Sequence, residues 1–263
     1  MLSRPPAVAG TFYPENPQVL ADCVETLLAQ NPTEVTVKAP KILIAPHAGY
    51  VYSGPVAACA YNSLQPSADV IQRVILLGPA HHVPLQGIAL PKCDAFSTPL
   101  GEIPIDLDLV ERLKKYPYVT EAEQAHRFEH SLEVHLPFLQ SVLTKFTLVP
   151  LAVGSIPPQQ VAEALNAIWG EQETVIVASS DLSHYRDYET ARQFDQLTSN
   201  TILKLDASLK GEQACGCYAI NGIINAAKQR NMRAIQLDLR NSGDTAGPKD
   251  RVVGYGAYAF YGA

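Results

Sequence analysis

The chain has no run approaching the roughly 18 consecutive apolar residues that a membrane-spanning helix requires. Its opening Met1-Leu2-Ser3-Arg4-Pro5-Pro6 has no apolar core of the secretory type. Together these absences predict a cytoplasmic protein with no membrane role. A basic stripe is missing too: Lys and Arg total 20 against 26 Asp and Glu, for a net charge of −6. That balance argues against nucleic acid as a partner. Cysteines are few and odd in number, five in 263 residues (Cys23, Cys59, Cys93, Cys215, Cys217), which predicts reduced thiols rather than a disulfide framework. Cys215-Gly216-Cys217 lacks the two-residue spacer of redox or zinc pairs, so its expected use is packing at a helix start. No Gly-x-Gly-x-x-Gly or Walker loop follows an apolar run, and a nucleotide cofactor therefore has no support. No Gly-x-Ser-x-Gly elbow is present, which weakens a serine-hydrolase reading of Ser179, Ser180 and Ser183 beside His184. No Ser/Gly-rich or charge-run linker divides the chain, so one domain over residues 1–263 is expected.

What is present is a repeated local design. Lys41-Ile42-Leu43-Ile44 is a short apolar run that ends in Ala45-Pro46-His47. Val74-Ile75-Leu76-Leu77 leads into Gly78-Pro79-Ala80-His81-His82, and Val175-Ile176-Val177-Ala178 into Ser179-Ser180-Asp181-Leu182-Ser183-His184. Each reads as a buried strand delivering an imidazole just past its carboxyl end, where open α/β sheets bind their ligands. Between them lie helical patterns: Asn16-Pro17 as N-cap and first helical residue before Val19 to Leu28, a helix after Gly54-Pro55, Pro157-Pro158 opening a helix through Ile168, and Tyr188 to about Leu205. Strands alternating with helices predict an α/β fold, a single domain with a central mixed, largely parallel sheet flanked by helices. Phe96 to Glu102 has no period and reads as loop. Thr147 to Val153 is strand-like, and its Pro150 suggests an edge or a bulge.

Imidazole is the commonest metal ligand and proton shuttle. His47 and His81 form the natural pair. With one carboxylate, from Asp181, Asp244 or Glu133, they would suit non-heme Fe(II), and the same set could hold zinc. Asp181-Leu182-Ser183-His184 could be an acid–base unit in which the aspartate orients the imidazole, or Ser180 and Asp181 could simply cap a turn. His130 and Glu133 are three apart on an expected helix and would share a face, while His135 points elsewhere. Phe12, Tyr13, Tyr50, Tyr52 and Tyr185 flank these loops, and aromatics there favour a flat ligand or serve as core.

Five ordered segments carry a family resemblance: Ala9-Gly10-Thr11-Phe12-Tyr13, Ile44 to Tyr50, Gly78 to Leu85, Glu129-His130-Ser131-Leu132-Glu133-Val134-His135-Leu136-Pro137, and Ser179 to His184. Along its whole length the chain resembles the Memo family (mediator of cell motility), in its microbial form, protein B of the AmmeMemoRadiSam system. The resemblance implies a fold similar to class III extradiol dioxygenases, with two histidines and a carboxylate on iron. It implies His47 and His81 as metal-type ligands, His184 as the adjacent acid–base group, and Phe12 on the pocket rim. From the residue pattern itself, Asp181 is the expected partner of His184, Tyr50, His82, His130 and Glu133 are expected to line the pocket, and Glu133 and His135 could instead be supporting or structural. In the animal protein a cysteine from the loop before the last strand completes the set. Here that loop is Asn241-Ser242-Gly243-Asp244-Thr245, so Asp244 is the expected third ligand, with Thr245 one residue away. The implied cofactor is Fe(II), with copper or zinc as alternatives. The implied ligand is a small, aromatic substrate for a redox enzyme or, for a non-catalytic module, a peptide or anion. A radical-SAM protein is the partner that the family association implies.

Overall fold

The computed structural model describes residues 2–33 and 39–262. In chain order the elements are β1 (Ser3–Arg4), α1 (Pro17–Gln30), β2 (Ile42–Ala45), α2 (Tyr50–Asn62), β3 (Arg73–Pro79), β4 (Ile88–Leu90), β5 (Ala95–Thr98), β6 (Gly101–Pro104), α3 (Leu107–Leu113), β7 (Val119–Glu121), α4 (Leu136–Val142), β8 (Thr147–Val153), α5 (Pro158–Ala167), β9 (Thr174–Ser179), β10 (His184–Arg186), α6 (Tyr188–Leu203), α7 (Cys217–Lys228), β11 (Arg233–Asn241) and β12 (Val252–Tyr261).

The main sheet runs β10-β12-β2-β9-β3-β8-β4-β7, with β11 also paired to β12. Its centre, β2-β9-β3-β8, is parallel. The β12 arm and the β8–β4 step are antiparallel. The sheet is thus mixed, as expected from strands alternating with helices. The central strands are continuous Val/Ile/Leu runs with almost every residue buried, because a parallel sheet is covered on both faces. The β2-to-β3 and β8-to-β9 crossovers travel in opposite directions across the sheet. Right-handed crossovers therefore put α2 and α5 on opposite faces. α1 and α4 pack with α2, and α3 and α7 with α5. Among the described residues no helix is long and apolar enough to cross a membrane, and all five cysteines are free.

Several local expectations meet their physical reasons here. The Asn16 side chain accepts from the amides of Gln18 and Val19 and so caps α1, and Asp106 caps α3 through the Leu109 amide at 3.1 Å. Helix α2 starts at Tyr50, ahead of Gly54-Pro55, and keeps Pro55 inside it. The 96–102 stretch is not a loop but the β5–β6 hairpin, closed at Thr98 and Gly101. Its strands are too short to show a period. Pro150 is neither at an edge nor in a bulge, since β8 lies between β3 and β4. On the β4 side, β8 pairs only at Leu148, with Ile105, and at Ala152–Val153, so the proline falls in the gap between the two pairings.

Candidate metal centre

Strands β2, β9 and β3 are adjacent and parallel, so their carboxyl ends reach one edge of the sheet together. β2 runs into His47, β3 into His81, and β9 ends on Ser179 and runs into Asp181. A fourth segment joins them. Ser131 Oγ donates to the Pro79 carbonyl at 2.8 Å. Gly78 has no room for a Cβ, which would lie 2.7 Å from Ser131 Oγ, so the 129–132 turn closes directly onto the end of β3 and brings His130 with it.

The result is a cluster of three imidazoles. One potential ligand atom each from His47, His81 and His130 lies within 4.8 Å of the others. The His81 and His130 rings stack at 4.7 Å and 17°, and His47 meets both edge-on at 5.2 and 5.4 Å. His47 is buried, His130 half-buried and His81 open to solvent.

The hydrogen-bond network assigns the tautomers. Ser179 Oγ donates its one proton to the Ser131 carbonyl at 2.6 Å. It must therefore accept from His47 Nδ1–H, which lies 2.5 Å away. His81 Nδ1 donates to the Glu129 carboxylate at 2.9 Å, and His184 Nδ1 donates to the Leu182 carbonyl at 2.9 Å. A ring whose single proton is on Nδ1 keeps its lone pair on Nε2. Metal-binding histidines are oriented by oxygen acceptors in the same manner. Burial, reinforced by the neighbouring His81 and His130, pushes His47 far below the usual histidine range and keeps its ring neutral. Burial likewise brings His130 down to about 4, with Glu129 pulling the other way.

Glu129 has a role that the residue pattern did not reveal. It is 2% exposed and accepts from the His81 ring, from the His81 amide at 2.5 Å and from the Ser131 amide at 2.8 Å. Burial opposes its ionisation, but these donors outweigh it and hold the carboxyl at about 2. The only sequence signal was its position beside His130.

Cys215 is a second residue that sequence reasoning misplaced. Instead of packing a helix start, its Sγ lies 3.4 Å from His47 Nε2 and accepts from the Asp181 amide at 3.3 Å. Gly216 makes this possible. A Cβ there would lie 2.4 Å from the Ser179 carbonyl oxygen, so only glycine lets the start of α7 press against the end of β9. Burial, with Asp181 nearby, pushes the Cys215 thiol up to about 12, so it is protonated and can donate to His47 Nε2.

Other expected site residues lie elsewhere or act differently. Asp244 is outside the cluster. Its Oδ2 accepts from the Asn241 amide at 2.9 Å and its Oδ1 from the Tyr188 hydroxyl, and Asn-Ser-Gly-Asp forms a capping box that claims the carboxylate locally. Thr245 Oγ1 donates to the Ser242 carbonyl. Asp181 does not hydrogen-bond to the His184 ring. It is buried, and its Oδ1 accepts from the His47 amide at 2.8 Å, tying the β2 and β9 loops together. Burial raises it to about 6 despite that bond. His184 faces solvent, yet it is near enough for its charge to bear on both His47 and Asp181.

Glu133 and His130 do not share a helix face. Residues 133–135 form a 3-10 turn, and α4 begins at Leu136 with Pro137 in its first turn, where proline is tolerated. Glu133 turns away from the cluster to Arg4 at 2.7 Å, the Tyr13 hydroxyl at 2.7 Å and the amides of Ala7 and Val8. It thereby anchors the N-terminal arm, whose Phe12 lies on the His130 ring at 4.8 Å. Tyr50 is core rather than lining: it is 4% exposed, bonded to the Val134 carbonyl and packed on Phe138. His82 is exposed and sits edge-on to His130 at 6.0 Å.

Comparison with known proteins agrees with this architecture. The chain is 37% identical over 267 residues to a MEMO1 family protein of Aquifex aeolicus, covering 97% of this chain and 98% of that one. It is 35% identical over 272 residues to one of Archaeoglobus fulgidus, covering 98% and 99%. Among solved structures, an uncharacterized protein of Escherichia coli K12, JW3007, matches with a TM-score of 0.54 at 15% identity, covering 84% of this chain and 99% of that one, a likeness of fold. A sequence model described as "Memo-like protein" matches residues 4–259, and the chain belongs to that family.

Proposed function

We propose that the protein is a metal-dependent oxidoreductase acting on a small substrate. His47, His81 and His130 would hold a first-row ion, Fe(II) in the first instance, and Cys215 would be a sulfur donor on the His47 side. The observation that carries this reading is the convergence of three histidine rings, of which His47 and His81 have the Nδ1 proton tied to an oxygen acceptor and a lone pair left on Nε2. Neutral imidazoles with a thiol suit iron, copper or zinc rather than magnesium or calcium. A bound ion would supply Lewis-acid and redox chemistry at the positions that the protein leaves open.

The chain's own groups have separable tasks. Glu129 fixes the His81 ring, and Ser179 fixes His47. Asp181 locks the loop that carries His47. His184, with Nδ1 tied and Nε2 free, is placed to accept or give a substrate proton. Phe12 covers one side of the cluster and limits water there.

Anaerobic Fe(II) titration of the purified protein and of His47→Ala tests the assignment, with Cu and Zn in parallel. The expected result is one ion per chain for the wild type and a large loss of affinity in the variant. Equal, negligible uptake of all three metals by both proteins would remove the reading and leave a metal-free ligand-binding pocket.

A further inference from the structure

Tyr185 follows His184 directly and is 64% exposed. Its φ is +59°, in the left-handed region that a bulky aromatic rarely adopts. It is the extra residue of a bulge, because His184 opposes Val253 and Arg186 opposes Val252. The bulge sets the Tyr185 ring edge-on to His184 at 5.8 Å. The Arg251 guanidinium lies over the same ring at 4.8 Å. Arg251 has no ion pair among the described residues, although Asp250 precedes it. The nearby cations are engaged on other rings, Arg186 on Phe194 at 4.1 Å and Lys249 on Tyr188 at 4.6 Å. Burial does not explain an exposed aromatic held in a left-handed backbone conformation between an exposed guanidinium and the exposed histidine of the site. Strain of this kind is retained where function requires it.

We infer that Tyr185 and Arg251 are the specificity-determining pair of the site and select small aromatic substrates that carry a carboxylate. This rests on the reading that the histidine cluster and His184 form the working centre. The geometry suits that ligand. The Arg251 guanidinium carbon lies 4.8 Å from the Tyr185 ring centroid, and a guanidinium's N–H donors lie in its own plane, so contact with the ring leaves donors for a carboxylate. Arg251 and His184 both lie against the Tyr185 ring, at 4.8 and 5.8 Å from its centroid, so a ligand whose carboxylate meets Arg251 can lay its own ring beside Tyr185 and His184.

The test uses benzoate and its neutral isostere benzamide, with phenyl phosphate as the dianionic arm. Binding is followed by NMR titration of the full chain, both chelator-treated and metal-loaded. Metal-free wild type should prefer benzoate over benzamide by on the order of tenfold, the worth of one charge-assisted contact. Arg251→Gln should lose that preference while still binding benzamide, and Tyr185→Ala should weaken both probes. Unchanged melting temperatures would show that the variants are folded. A benzoate preference that survives in metal-free Arg251→Gln, a wild type with no preference, stronger binding of phenyl phosphate, or no benzoate binding at its solubility limit would each overturn the inference. Metal uptake is read separately. Loss of preference in Arg251→Gln without any metal uptake would refute the oxidoreductase reading and leave this pair standing. Metal uptake without the preference would do the reverse.

Discussion

Replacing Glu129 by Gln should damage both the fold and the metal centre, by amounts that follow from three hydrogen bonds. The carboxylate receives the His81 ring N–H, the His81 amide and the Ser131 amide, in a setting where only 2% of the residue is exposed. A carboxamide has one oxygen to accept with and an NH2 that must face at least one of these donors. Hydrogen bonds to a charged group are worth about 1.5–3 kcal/mol each, and a buried donor left unmatched costs about 1–3 kcal/mol. The expected loss is therefore on the order of 2–4 kcal/mol of unfolding free energy in metal-free protein. Loss of the carboxylate behind a metal-binding histidine typically weakens metal affinity about 10–100-fold. Urea unfolding in chelator measures the first quantity and anaerobic metal titration the second. A variant within about 0.5 kcal/mol of wild type, the scatter of ordinary surface substitutions, and with unchanged metal affinity would refute the orienting role of Glu129.

Three further predictions address other elements of the account. His126, 1% exposed, is pushed down to about 4 by burial against about 6.5 in an unfolded chain. As pH falls below about 6.5 the unfolded state takes the proton first, so stability drops through the window down to about 4, by roughly 2 kcal/mol at pH 5 for this residue alone. Urea unfolding of metal-free protein at pH 7 and pH 5 should show a steeper acid loss in wild type than in His126→Gln, which keeps the donation to the Ala89 carbonyl. Equal losses would refute it. Asp244→Ala should cost about 1 kcal/mol as a lost cap and leave metal affinity unchanged, and a weakened metal titration would restore Asp244 as a ligand. Gly216→Ala should destabilise by about 1–3 kcal/mol through the clash with Ser179 and weaken metal binding through Cys215. An unaltered urea midpoint would contradict the close approach.

The sheet and the location of the site were legible because they rest on contiguous signals. Buried parallel strands are unbroken apolar runs, and their ends are marked by Pro46-His47, Gly78-Pro79 and Ser179-Ser180. What was illegible was side-chain direction where the chain leaves regular structure. His130 and Glu133 were expected on one helix face, but Pro137 delays α4 to Leu136 and the 3-10 turn before it sends them apart. Asp244 looked like a free carboxylate, yet its own Asn-Ser-Gly-Asp turn consumes it. Cys215 gave no spacing signal because its partner, His47, is 168 positions away and the contact depends on a glycine whose only task is to be small. Asp181 and His184 are three apart in sequence, but the aspartate serves the amide of His47 rather than the neighbouring ring.

The central claim is that one ion sits among His47, His81 and His130. Anomalous diffraction from metal-loaded crystals at the absorption edge of the added ion tests it most directly. The account predicts a single strong peak at about 2.0–2.3 Å from an imidazole nitrogen of each of the three histidines. A peak on Asp244 or His184 instead, or no peak near residue 47 in a fully loaded crystal, would contradict it.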